Sequence, residues 1–265
     1  MLEFAEGKIL AEAQAGVGRI TFNQPEKRNA MSIAMWDGLA DALDVFERDA
    51  TVRCAVLTGA GEKAFVSGAD ISQFDRLRSD ADAQREYSRQ TAAGRQRLAT
   101  FPKPLIAEIR GFCMGGGLGI AMACDIRIAA EDSQFGIPAA KLGIAYGFDM
   151  VRNLVALVGP AHAHMILMTG ERFDAREAER MGLVNRVVPA ERLAEEVARL
   201  AATIAQNAPL SLLANKRTVQ AALQDRAERD IAAINAAMAA CFDSEDYREG
   251  RRAFLEKRRP VFHGR

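Results

Sequence analysis

Polar and apolar positions alternate through the first two dozen residues, with a break at Ala15-Gly16. That pattern predicts two strands, Lys8–Ala13 and Gly16–Phe22, joined as a hairpin and ended by Asn23-Gln24-Pro25. The period then changes. Met35, Leu39, Leu43 and Phe46 recur at helical spacing behind Ser32, a good N-cap, so a helix is expected through Ala50. Arg53–Thr58 is a short apolar run closed by Gly59-Ala60-Gly61 and predicts a buried strand. Phe65–Asp70 is expected to be a loop entering a helix, and Ala81–Thr100 a polar helix.

After Pro102 and Pro104 the order repeats. Leu105–Ile109 predicts a second buried strand, Met114-Gly115-Gly116-Gly117 opens an apolar helix through Cys124, and Ile126–Ala129 predicts a third strand. Strand–loop–helix units in this order indicate an α/β fold with a stack of short strands. Beyond Pro160 the pattern is mostly helical. Leu183–Val188 is one short strand, and three Ala-rich helical stretches follow, the last ending near Lys257. The expected organisation is an α/β core over 1–200 and a helical C-terminal region over 201–265.

Composition narrows the function classes. The chain has 265 residues, 49% hydrophobic and 26% charged, which is ordinary for a globular protein with a sizeable core. Lys+Arg and Asp+Glu number 35 each, a balance without the footprint of a nucleic-acid binder. Only the segment Arg248–Arg265 is locally basic, which fits a small anionic ligand. Cys54, Cys113, Cys124 and Cys241 form no CxxC pair, so reduced thiols in a cytoplasmic setting are expected. Neither a secretory signal nor a membrane span is expected.

The candidate chemistry centres on Gly115-Gly116-Gly117, between a strand and a helix. Glycines there let a ligand approach the backbone, and a helix N-terminus offers unpaired N–H groups and partial positive charge. Tight helix–strand packing explains the same glycines equally well. No Lys-Ser/Thr follows them and no GxGxxG is present, which excludes a P-loop and disfavours a dinucleotide site. Gly111-Phe112-Cys113-Met114-Gly115 fits a cysteine version of the nucleophile elbow, with His162, His164 or His263 as the base it would need. His162 and His164 are two apart, which on a helix puts them on different faces, so no metal is expected. Met165, Met168 and the Met31/Met35 pair are expected in the core or a pocket wall.

Seven blocks in order resemble the crotonase (enoyl-CoA hydratase/isomerase) superfamily. They are Phe65-Val66-Ser67-Gly68-Ala69-Asp70-Ile71, Lys103–Ala107, Gly111–Gly117, Ala123–Ala129, Gln134–Pro138, Ala178–Asn185, and the closing Asp246–Gly250 with Phe254–Arg258. The resemblance implies a spiral of β-β-α units, a C-terminal helical trimerisation region, and trimers often paired into hexamers. It implies an acyl-CoA thioester partner, with coenzyme A as part of the substrate and no separate cofactor. The backbone N–H groups of Ala69 and Gly116 would form an oxyanion hole. Lys27 and Arg28 resemble the segment near the nucleotide, and Phe254 and Lys257 the pair that reaches coenzyme A, often from a neighbouring subunit.

The chain also departs from that pattern. The two glutamates of family hydratases fall at Gly119 and Ala139, and the aspartate of other branches at Gly147. Hydration needs a base to activate water and an acid to protonate carbon, and neither glycine nor alanine supplies one. Tyr146, Asp149, Asp75 and Ser72 remain near the expected thioester. Leu142–Tyr146 resembles a segment of malonyl-type CoA decarboxylases, whose chemistry needs an oxyanion hole and one acid. Three readings follow: an enoyl-CoA hydratase/isomerase-type lyase or isomerase, a decarboxylase using Tyr146, or a silent acyl-CoA-binding member.

Overall fold

The computed structural model describes residues 1–70 and 80–265. The hairpin forms as the alternation predicts. β2 (Ile9–Gln14) and β3 (Val17–Phe22) are antiparallel with Gln14 opposite Val17. Ala15 and Gly16 both have positive φ, 50° and 83°, the geometry of a tight hairpin turn whose twist matches its strands. A further edge strand, β1 (Leu2–Phe4), pairs with β2.

Beyond the hairpin the strands of this sheet are parallel. β4 (Cys54–Gly59), β6 (Leu105–Ile109), β8 (Ile126–Ala130) and β11 (Arg186–Val188) complete a seven-stranded sheet in the order β1-β2-β3-β4-β6-β8-β11. A second sheet of four runs β10-β9-β7-β5, from β5 (Ala64–Val66), β7 (Phe112–Met114), β9 (Gln134–Gly136) and β10 (Arg172–Asp174). The chain lays β4 then β5, β6 then β7, β8 then β9, advancing one place in each sheet per turn. This is the spiral of β-β-α units that the resemblance implies. Phe65–Asp70 departs from the expected loop, because Ala64–Val66 is strand β5. The second-sheet strands are three residues long, too short to show a period, and pairing with neighbours fixes them.

The continuous apolar runs have a structural cause. Ala55, Leu57, Ala107, Ile109 and Ala129 face the main core, while Cys54, Val56, Ile106, Ile128 and Ala130 face Leu193, Val197 and Ala201. Both faces of the sheet are covered, so no polar alternation survives. Those covering residues lie on α6 (Leu193–Ala205).

Ahead of it come α1 (Ile33–Arg48), α2 (Ala81–Thr100), α3 (Gly116–Ala123), α4 (Phe148–Thr169) and α5 (Ala175–Arg180). Ser32 Oγ accepts from Met35 N at 3.3 Å, and Met35, Leu39, Leu43 and Phe46 are buried as predicted. α4 is broken at Gly159, with φ 72°, ahead of Pro160.

The last helices, α7 (Pro209–Ala222), α8 (Ile231–Asp243) and α9 (Glu245–Leu255), are different in kind. No residue of α8 is buried, and Ile231, Met238, Phe242, Phe254 and Leu255 are exposed. Among the described residues, no helix is long and apolar enough to cross a membrane.

Candidate active site

A parallel bridge sets one side of the site. Met31 N donates to Gly68 O at 2.8 Å and Asp70 N donates to Met31 O at 3.0 Å. Ala69 N–H, between them, has no hydrogen-bond partner among the described residues, and the same is true of Gly116 N–H. Gly115 opens α3 with φ 52°, a backbone suited to glycine, and its N–H donates to Gly136 O at 2.9 Å. A β-carbon on Gly117 would lie 2.0 Å from Val66 O, so only glycine lets the helix start press onto β5. That approach brings the two free amides together. A β-carbon on Gly116 would sit 3.8 Å from Ala69 N. Gly115 makes no side-chain cap, so the positive end of α3 is open to a ligand. Two such donors can stabilise negative charge developing on a carbonyl oxygen.

The loop before α1 clamps this arrangement. Asn29 is fully buried; its Oδ1 accepts from Gln24 N at 3.0 Å, and its Nδ2 donates to Ala60 O at 3.0 Å and Ala64 O at 2.8 Å. Lys27 Nζ is 2.9 Å from the carboxylate of buried Asp70, the residue after Ala69. Arg28 O accepts from Ser67 N at 3.1 Å, and its guanidinium lies 5.2 Å from the Phe112 ring centroid. Lys27 and Arg28 thus flank the amide segment. Asn29 is a positioning residue the sequence reading overlooked. Its signal is an Asn beside Arg28, both with positive φ (56° and 52°), a conformation Asn tolerates better than most residues.

The side-chain half of the site is apolar. Tyr146 is partly buried, and its hydroxyl lies 3.1 Å from the place a β-carbon on Gly115 would take. In front of Gly119 stands Met150, its Cε 3.5 Å and its Sδ 3.6 Å from the corresponding point. Ala139 is buried at the start of a short 3-10 turn, Pro138–Leu142. Gly147 faces open space. Asp149, in the first turn of α4, is 88% exposed and 3.8 Å from Arg152. Ser72 and Asp75 lie outside the described residues. Phe254 lies in the last turn of α9 and Lys257 two residues beyond it. Phe254, with Leu210, Phe242, Tyr247 and Phe262, lines an apolar cleft of about 570 Å³ that takes no wall from residues 64–150.

The structure removes the thiol alternative. Cys113 is fully buried in β7, and burial pushes its thiol well above the usual range, the opposite of an activated nucleophile. Cys124 is likewise pushed up, to about 12, by burial. His162 Nδ1 instead contacts Val158 O at 3.1 Å. Met31 and Met35 are core as expected, whereas Met165 (51% exposed) and Met168 (72%) are on the surface, because no described element covers that face of α4.

Comparison with known proteins bears on the family and the fold. A model of the enoyl-CoA hydratase/isomerase family matches residues 12–265. The short-chain-enoyl-CoA hydratase of Clostridium acetobutylicum is 35% identical over 95% of each chain. The crotonyl-CoA hydratase of Syntrophomonas wolfei is 35% identical over 96% of this chain and 97% of that protein. The crystal structure of an enoyl-CoA hydratase/carnithine racemase from Magnetospirillum magneticum superposes with a TM-score of 0.93 at 36% identity, over 97% of this chain and 96% of that one.

Proposed function

The chain belongs to the enoyl-CoA hydratase/isomerase family, and on that premise we propose an enzyme acting on an acyl-CoA thioester through an enolate. The observation that carries the reading is the pair of amides at Ala69 and Gly116, without a partner among the described residues and held side by side. A thioester carbonyl placed between them gains most from both donors when its oxygen bears full negative charge, so the pair favours enolate formation over ground-state binding. Lys27 and Arg28 supply positive charge beside that segment for coenzyme A phosphates. Phe254 and Lys257 would reach the coenzyme from a second subunit.

The family's nominal reaction is hydration, but with Gly119 and Ala139 in the carboxylate positions that route lacks its usual acid and base. One observation favours a second reading. The Tyr146 hydroxyl stands beside the start of α3, where a single acid would be needed. In decarboxylation of a malonyl-type thioester, the bond from the α-carbon to the carboxylate breaks. Its electron pair passes to the carbonyl oxygen, CO₂ leaves, and the α-carbon takes one proton, which Tyr146 would deliver.

The exposed apolar residues of α4, α8 and α9 support a homo-trimer, alone or paired as a hexamer. The four free cysteines suit a reducing compartment such as the cytoplasm.

The test is a panel of acyl-CoA substrates assayed for hydration, isomerisation, decarboxylation and thioester hydrolysis, with Tyr146→Phe beside the parent. Binding is read in parallel as a rise in Tm. Turnover of a thioester supports the enzyme, and loss of decarboxylation in Tyr146→Phe supports the second reading. Binding without turnover of any panel member reduces the protein to an acyl-CoA binder. A flat Tm with every acyl-CoA overturns the reading.

A further inference from the structure

α3 is buried on every side but one. Gly116, Gly119 and Ala123, at i, i+3 and i+7, form its only partly open stripe, and segment 146–150 runs over that stripe. Tyr146 covers Gly115 and Met150 covers Gly119, so an i, i+4 pair lies against an i, i+4 pair. The wall therefore has a polar end and an apolar end. The hydroxyl is beside the helix start, and the thioether is one turn further in.

A thioester whose oxygen sits at the Gly116 and Ala69 amides has its acyl carbons starting within a few bonds of that point. Gly119 lies about 4.5 Å further along the helix axis. The first acyl carbons that follow the open stripe therefore meet Met150, whose side chain is partly buried against the core. We propose that Met150 is the specificity-determining residue of this site: its thioether closes the acyl pocket at Gly119 and sets the length of the acyl group accepted. This rests on the acyl-CoA reading above. A flexible, polarisable side chain suits the task, because it fills an irregular apolar gap without a polar atom that needs a partner. Met150 also stands within van der Waals contact of the first atom of any side chain placed at residue 119, so an apolar group borders that position.

The experiment measures dissociation constants of unreactive saturated thioesters by calorimetry: acetyl-, butyryl-, hexanoyl-, octanoyl- and decanoyl-CoA, with free coenzyme A as reference. The proteins are the parent, Met150→Ala, Met150→Phe and Met150→Leu. Met150→Ala moves the tightest-binding chain to a longer one, with a gain for octanoyl- over butyryl-CoA of about tenfold, as expected for a few newly buried methylenes. Met150→Phe moves the preference the other way, Met150→Leu keeps the parent profile, and free coenzyme A binds all four equally. Opposite shifts in two variants cannot come from general loosening, and Met150→Phe with Met150→Leu decide the matter even if Met150→Ala fails to fold. Parallel chain-length profiles in proteins that bind the series overturn the role of Met150 alone. No binding of any acyl-CoA by the parent overturns the functional reading and this one with it.

Discussion

The backbone half and the side-chain half of the proposed site are built in very different ways. On one side, Ala69 and Gly116 present N–H groups whose placement depends on a parallel bridge to Met31, a glycine turn and a helix pressed onto β5. On the other, the positions that would hold carboxylates carry Gly119, Ala139 and Gly147, and an apolar side chain stands before the first of them. The difference teaches that a main-chain donor is protected by the fold. It disappears only if the backbone moves, and these segments follow directly on β5 and β7, neighbours in the second sheet. A catalytic side chain has no such protection, since one substitution removes it and the core barely responds.

The comparison predicts that the backbone half is the costlier to break. Gly116→Pro deletes one donor at the first helical position, where proline is tolerated. A loss of about 10²–10³ in kcat is expected with Tm nearly unchanged, read by steady-state kinetics beside thermal melting. Retained turnover would move the charge-stabilising role elsewhere.

Gly117→Ala attacks the packing that assembles the pair. Its β-carbon would meet Val66 O at 2.0 Å, so backbone must shift. Destabilisation of about 3 kcal/mol in urea melts and loss of acyl-CoA binding are expected together.

Asn29→Ala leaves three backbone groups, two of them buried, without this partner. About 2 kcal/mol of stability should be lost, with weaker binding of every acyl-CoA and an unaltered chain-length preference.

The side-chain half should be easier to rewrite. Gly119→Glu alone places a carboxylate against Met150, so little gain in crotonyl-CoA hydration is expected. Gly119→Glu with Ala139→Glu and Met150→Ala should hydrate measurably faster than Gly119→Glu with Ala139→Glu. Equal rates would show that Met150 does not obstruct the position.

The smallest effect lies outside the comparison, in the C-terminal region. Arg258, then Arg252, then the Val261 amide hold the Glu249 carboxyl well below the ordinary carboxylate range. A depressed folded-state pKa stabilises above the unfolded value, near 4.3, and that contribution fades as pH falls below it. The segment after Leu255 should therefore become progressively more open to digestion by an acid-stable protease as pH falls from about 4.3 toward 2. Glu249→Gln should be susceptible already at pH 7 and lose most of that pH dependence.

Much of the fold was legible because its signals are local. The hairpin at Ala15-Gly16, the Ser32 cap and the face of α1, and the buried runs of β4, β6 and β8 each follow from period, capping or turn chemistry. Strands β5, β7, β9 and β10 were not legible, since three residues held by neighbours distant in sequence carry no period. At the site, the ordered motifs pointed to Ala69 and Gly116 and to the missing carboxylates. Nothing in the chain's order indicated that Met150 stands at Gly119, or that Asn29 ties its own loop to Ala60 and to Ala64 of β5.

The sequence by itself determined the glycines that only a close backbone approach explains, the apolar strands of a two-faced sheet, and the absence of acid and base at positions 119 and 139. These are properties of single residues and short windows. Only the tertiary structure decided that two amides 47 positions apart lie side by side, that Cys113 is buried beyond use as a nucleophile, and that a thioether lies against Gly119. Such facts depend on how the spiral stacks one turn on the next, and proximity across turns is set by packing between distant segments, which no local pattern encodes.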